Sequence, residues 1–95
     1  MEKFIINFTN VETTEGFYEA IMRGLKFRDA CGRNPDAIWD NIVCNFRCSS
    51  VIYIKGIYKM IKYYEKDVKL FIDILNETKE WYEKFNEYIY IIFLD

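Results

Sequence analysis

The sequence predicts an α/β fold in the order β-α-α-β-α-α-β, with a small three-stranded parallel sheet packed with helices. Three observations predict it. The runs 3–8 (KFIINF), 51–54 (VIYI) and 88–94 (YIYIIFL) are short and rich in β-branched and aromatic residues, as strands are. The stretches between them carry apolar residues at helical spacing. No hairpin signal joins any two strand runs, so parallel strands with right-handed helical crossovers are expected.

The elements follow in order. Behind the first strand, Thr13-Thr14-Glu15-Gly16 supplies helix-start residues, since a threonine hydroxyl can accept from an unpaired backbone N–H. Phe17, Ile21 and Leu25 then recur at i, i+4, i+8 with Tyr18 alongside, one buried stripe that leaves Glu19 and Arg23 to water. Gly24 weakens the end of this helix, and residues 26–33 form a charged connection. A second helix is expected from Pro35 to about Phe46, with Ile38, Trp39, Ile42, Val43 and Phe46 on its apolar side. After Ser49-Ser50, the apolar second strand reads as covered on both faces, and Gly56 ends it. Residues 57–84 are helical in pattern with a break near Tyr64 to Lys66, the later helix turning Val68, Phe71, Ile72 and Leu75 inward. A fully apolar last strand closes the chain.

The 95 residues, 52% apolar and 19% aromatic, are expected to form one domain over 1–95, burying about 60–65% of the unfolded surface. A net charge of −2 with a pI of 5.2 argues against bulk nucleic-acid affinity. The chain has no histidine, which excludes mixed Cys/His zinc sites and any histidine-based triad or general acid–base pair. Cys31, Cys44 and Cys48 are an odd set that suits a reduced, cytoplasmic compartment. They lack an evident fourth metal ligand, so they read as neutral thiols and no metal is expected. The start MEKFIINFTN is unlike a signal peptide, and the apolar end is far shorter than a span of about 20 residues, so neither export nor a membrane anchor is expected.

The stretch 32–40, GRNPDAIWD, reads as a loop entering a helix. Asn34 can cap it, Pro35 suits the first helical position, and Asp36 faces the positive end of the helix dipole. Asp40 lies a turn further in, where it repels Asp36 at i, i+4 at a cost of roughly 0.2–0.5 kcal/mol. Local stability does not explain it. The two carboxylates sit about 40° apart on the wheel, away from Ile38 and Ile42. Trp39, between that face and the apolar stripe, reads first as an anchor of the helix whose edge supports the acidic face.

Gly32, Asn34, Asp36-Ala37 and Trp39-Asp40 resemble the signature of the barstar family, intracellular inhibitors of the secreted ribonuclease barnase. The resemblance extends to the strand and helix order and to the penultimate helix with Leu75-Asn76-Glu77-Thr78-Lys79, covering nearly the whole chain. It implies a barstar-like fold and a protein without catalysis or cofactor, monomeric when free, that plugs a ribonuclease cleft with an acidic helix and the loop before it. Carried over by position, Asp40 is the principal acidic anchor, Asp36 its companion and Glu77 a third acidic contact, with Gly32 and Asn34 as loop contacts. Two departures bear on the target. Ala30 stands where the family has a tyrosine, and Arg33 places a cation in the contact loop where the pattern has an acid; Arg47 adds a further positive charge.

Three other readings compete. Lys55, Lys59, Lys62, Lys66 and Lys69, beside Tyr58, Tyr63 and Tyr64, would form a basic stripe able to hold phosphates or meet an anionic membrane if the segment were one helix. Such a stripe is more often the solvated face of an amphipathic helix, so neither nucleic acid nor membrane is the expected partner. Asp36, Asp40 and Glu77 could act as a carboxylate pair or cation site, but no phosphate-binding loop or activated nucleophile accompanies them. The acids could also be a merely solubilising face.

Overall fold

The computed structural model describes residues 1–27, 36, 40, 41, 46 and 48–94. Its elements are β1 (Glu2–Asn7), α1 (Thr14–Gly24), β2 (Ser50–Lys55), α2 (Ile57–Tyr63), α3 (Glu65–Glu83) and β3 (Ile89–Phe93). The helix expected from Pro35 to Phe46 falls mostly outside the described residues, although Asp36, Asp40 and Asn41 have helical backbone.

The three strands run parallel in one sheet of order β1-β2-β3, with Glu2 level with Ser50 and Ser50 level with Ile89. The α/β class and parallel sheet are therefore as expected. Central position explains the unbroken apolar run of β2, where Val51, Ile52 and Ile54 are buried and Tyr53 is half-buried. In β1 the period of two is clean: Phe4 and Ile6 turn into the core, while Lys3, Ile5 and Asn7 are exposed. The last strand is found where the apolar run predicts it, at Ile89–Phe93. Only Ile89 is fully buried and Ile91 half-buried, whereas Tyr90, Ile92 and Phe93 are exposed. A strand at the edge of a small sheet is covered mainly on one side, and an all-apolar run does not reveal which side that is.

Thr13 caps α1, its hydroxyl accepting the Gly16 N–H at 2.9 Å. Phe17, Tyr18, Ile21, Met22 and Leu25 are buried along the predicted stripe; Arg23 is exposed, but Glu19 is only half-exposed. The helix stops in a left-handed turn at Lys26 (φ 60°), where the Phe27 N–H reaches the Met22 carbonyl and the Lys26 N–H the Arg23 carbonyl. This is a Schellman stop made without glycine. Gly24 has a different purpose from the one its helix propensity suggests. A Cβ there would lie 2.6 Å from the Ile5 carbonyl oxygen and 2.9 Å from the Ile6 Cα, so the missing side chain lets α1 lie directly on β1.

Gly56, at φ 81° and against the backbone of Phe8 and Thr9, turns β2 into α2. The break expected near Tyr64 is found at that residue, where the backbone leaves helical geometry at φ −135°, ψ 47°. Tyr64 turns its hydroxyl to donate to the Glu12 carbonyl at 2.7 Å and packs its ring against the core. Val68, Phe71 and Leu75 of α3 are buried as expected, with Ile72 at the margin of the core. Phe8 stacks on Phe17 at 5.0 Å and meets Phe71 edge-on at 6.2 Å, joining sheet, α1 and α3 in one aromatic centre. Each such buried ring contributes about 1.5–3 kcal/mol.

A polar link joins two helices at this core. The Tyr18 hydroxyl donates to Asp67 Oδ1 at 2.5 Å, and burial first, then the hydrogen bond and charge of Asp67, push the phenol well above the usual tyrosine range. The pair joins α1 to the first turn of α3. Buried Thr78 is satisfied by its own helix, donating to the Ile74 carbonyl at 2.7 Å, so it interrupts neither packing nor hydrogen bonding.

Candidate functional site

Of the residues singled out for partner contact, Asp36, Asp40 and Glu77 are described. Asp36 and Asp40 are both helical and both exposed. Their i, i+4 spacing sets the carboxylates on one side of the helical backbone. Gly32, Arg33, Asn34 and Trp39 lie outside the described residues, as do Ala30, Cys31, Cys44 and Arg47.

Six residues beyond Asp40, Phe46 is buried. Its ring meets Phe4 of β1 edge-on at 5.3 Å and Tyr82 of α3 at 5.9 Å. Phe46 thus packs against both the sheet and the C-terminal half of α3.

Glu77 stands on that half of α3. The inward line of this helix is Val68, Phe71, Leu75, Thr78 and Tyr82; Glu77 falls on the opposite side and is exposed. Glu80 shares this outward side. So does Trp81, 43% exposed, and beyond the helix end Phe85 is 61% exposed; the sequence reading passed over both aromatics. Their rings pack at 5.6 Å, and Lys84 Nζ lies 5.5 Å from the Trp81 ring centre. The signal was available for Trp81, which lies about 100° from the line that Phe71, Leu75, Thr78 and Tyr82 define; Phe85 continues the spacing of that line and is exposed because the helix ends before it, at Glu83.

The lysines of the basic stretch, Lys55, Lys59, Lys62, Lys66 and Lys69, are all exposed. The single helix that would align them is absent: α2 ends at Tyr63, and Tyr64 turns toward the core. Lys62 instead sits 5.6 Å from the Tyr63 ring centre, and Lys59 donates to the Thr9 carbonyl at 3.3 Å. An open groove of about 750 Å³ runs between β1 and α1, lined by Lys3, Ile5, Asn7, Glu19, Arg23 and neighbours. Its charges are of both signs, and it includes none of Asp36, Asp40 and Glu77. Among the described residues no group of three or more His, Cys, Asp or Glu could hold a metal ion. None of their helices is long and apolar enough to cross a membrane.

Carboxylates carried on helices can accept charge-assisted, and with arginine bidentate, hydrogen bonds from a cationic surface. Residues 1–93 match the family model described as Barstar (barnase inhibitor). No curated protein matches the chain.

Proposed function

The chain belongs to the barstar family, a family of inhibitors, and from that premise we propose that it is a cytoplasmic inhibitor that seats Asp40, Asp36 and Glu77 in the active-site cleft of a barnase-type ribonuclease. The family match over residues 1–93 carries this reading, and the exposed, helical placement of Asp36 and Asp40 supports it. A ribonuclease must bind phosphodiesters, so its cleft presents arginine and lysine donors. Carboxylates on a helix can occupy those donors in place of phosphate. Asp40 is the principal anchor, Asp36 its neighbour on the same face, and Glu77 a second point of attachment from α3. Gly32, Arg33, Asn34 and Trp39 supply further partner contacts. The chain acts as a single domain, is monomeric when free, and performs no catalysis.

Opposite charges also steer encounter, an effect for which barnase and barstar themselves serve as a reference pair. Ala30 and Arg33 alter the aromatic and charge content of the loop, which sets this chain apart in its choice among related cationic clefts. Adding the protein to a barnase-type ribonuclease is expected to reduce RNA cleavage in proportion, reaching zero at one equivalent. Asp40→Ala is expected to leave cleavage running at the same concentration. Full cleavage in the presence of excess wild-type protein would overturn the reading.

A further inference from the structure

The outward side of α3 carries more than Glu77. On the helical wheel Glu77, Glu80, Trp81 and Lys84 fall within a sector of about 100°, opposite the buried line through Phe71, Leu75 and Tyr82. Phe85 follows one residue after the helix cap and is held by a second Schellman stop. There the Glu87 N–H reaches the Tyr82 carbonyl and the Asn86 N–H the Glu83 carbonyl, with Asn86 in the left-handed turn at φ 60°. Trp81 and Phe85 are thus set side by side on a fixed helix end, their rings 5.6 Å apart, with 43% and 61% of their surface exposed. An exposed tryptophan and phenylalanine in contact have no role in the core. Tryptophan is among the residues that most often dominate binding energy.

We propose that Trp81 and Phe85 form an aromatic rim of the partner-binding face, packing on the ribonuclease beyond Glu77 and offering the Trp81 ring to a cationic side chain at the edge of its cleft. This rests on the inhibitor reading above. Three observations favour that occupant. Trp81 lies one helical turn beyond the exposed Glu77 on α3, so the rim continues the face that carries this carboxylate. The Trp81 ring already has a cation beside it, Lys84 Nζ at 5.5 Å, and a guanidinium stacks on such a face more readily than an ammonium. Glu77 and Glu80 flank the rim on the same outward side. A cationic partner would pair with these carboxylates, whose charge Lys84 offsets only in part.

The test measures association and dissociation rates with a barnase-type ribonuclease for the wild type, Trp81→Ala, Trp81→Phe, Phe85→Ala and Asp40→Ala, each checked for folding by circular dichroism. Trp81→Ala is expected to dissociate about 10–100 times faster, a loss typical of a hot-spot aromatic, with little change in association rate, and Trp81→Phe to recover most of that loss. Wild-type dissociation rates in both Trp81→Ala and Phe85→Ala, with Asp40→Ala still losing binding, would overturn the rim and leave the inhibitor reading standing. No binding by the wild type would overturn both. A concentration-dependent dimer of the free protein that Trp81→Ala abolishes would assign the rim to a second copy, and so would also overturn the proposal.

Discussion

At the residue scale, Tyr18 shows how one polar pair is tolerated inside an aromatic core. Its hydroxyl keeps its proton because burial and Asp67 both disfavour the phenolate. Since the folded-state pKa is raised, the stabilisation is fully present below the ordinary tyrosine value of 10.0 and is lost as pH rises beyond it. Tyr18→Phe is expected to cost about 1 kcal/mol at neutral pH, read as a lower urea midpoint. The gap between wild type and variant is expected to close as pH is raised above about 10; a gap that stays constant into strong alkali would contradict the assignment. The exposed, helical placement of Asp40 was legible at this scale as well, from its spacing beyond the expected helix start. Trp81 was harder to read. A tryptophan beside a buried tyrosine passes for core until the inward line of the helix is known.

At the scale of elements, two helix–strand junctions can be tested. Gly24 permits α1 to touch the backbone of β1. Alanine would add up to about 1 kcal/mol of helix propensity, but the clash with backbone atoms is expected to cost about 1–3 kcal/mol. Gly24→Ala should therefore be less stable in urea denaturation, and a more stable variant would refute the close contact. Lys26 is the opposite case, a residue with a side chain in a left-handed turn. Lys26→Gly is expected to gain about 0.5–1 kcal/mol, raising the urea midpoint with an unchanged slope; no gain would show that the turn carries no strain. The order of the described strands and helices, the start of α1 at Thr13 and the break at Tyr64 were legible from local chemistry. What local chemistry does not contain is the partner across an interface: the close approach that requires Gly24, and the side on which β3 is left uncovered.

For the whole molecule, the net charge of −2 says little about function, and the distribution of charge says more. Asp36, Asp40 and Glu77 are exposed on helices, whereas the lysines of the basic stretch are divided between α2, α3 and their flanks by the turn at Tyr64. If the carboxylates steer encounter with a cationic cleft, raising ionic strength from about 0.01 M to 0.15 M, which shortens the screening length from about 30 to about 8 Å, should slow association about tenfold or more. Dissociation should change less. Stopped-flow mixing with a barnase-type ribonuclease measures both, and a salt-independent association rate would contradict electrostatic steering.

The most direct measurement of the central claim is a calorimetric titration of a barnase-type ribonuclease with the wild-type chain, Asp40→Ala and Glu77→Ala. The account predicts one-to-one binding by the wild type, a loss at Asp40→Ala of about 2 kcal/mol or more, as for a central hot spot, and a smaller loss at Glu77→Ala, with all three proteins folded. Equal and small losses at both positions, or no heat from the wild type, would contradict it.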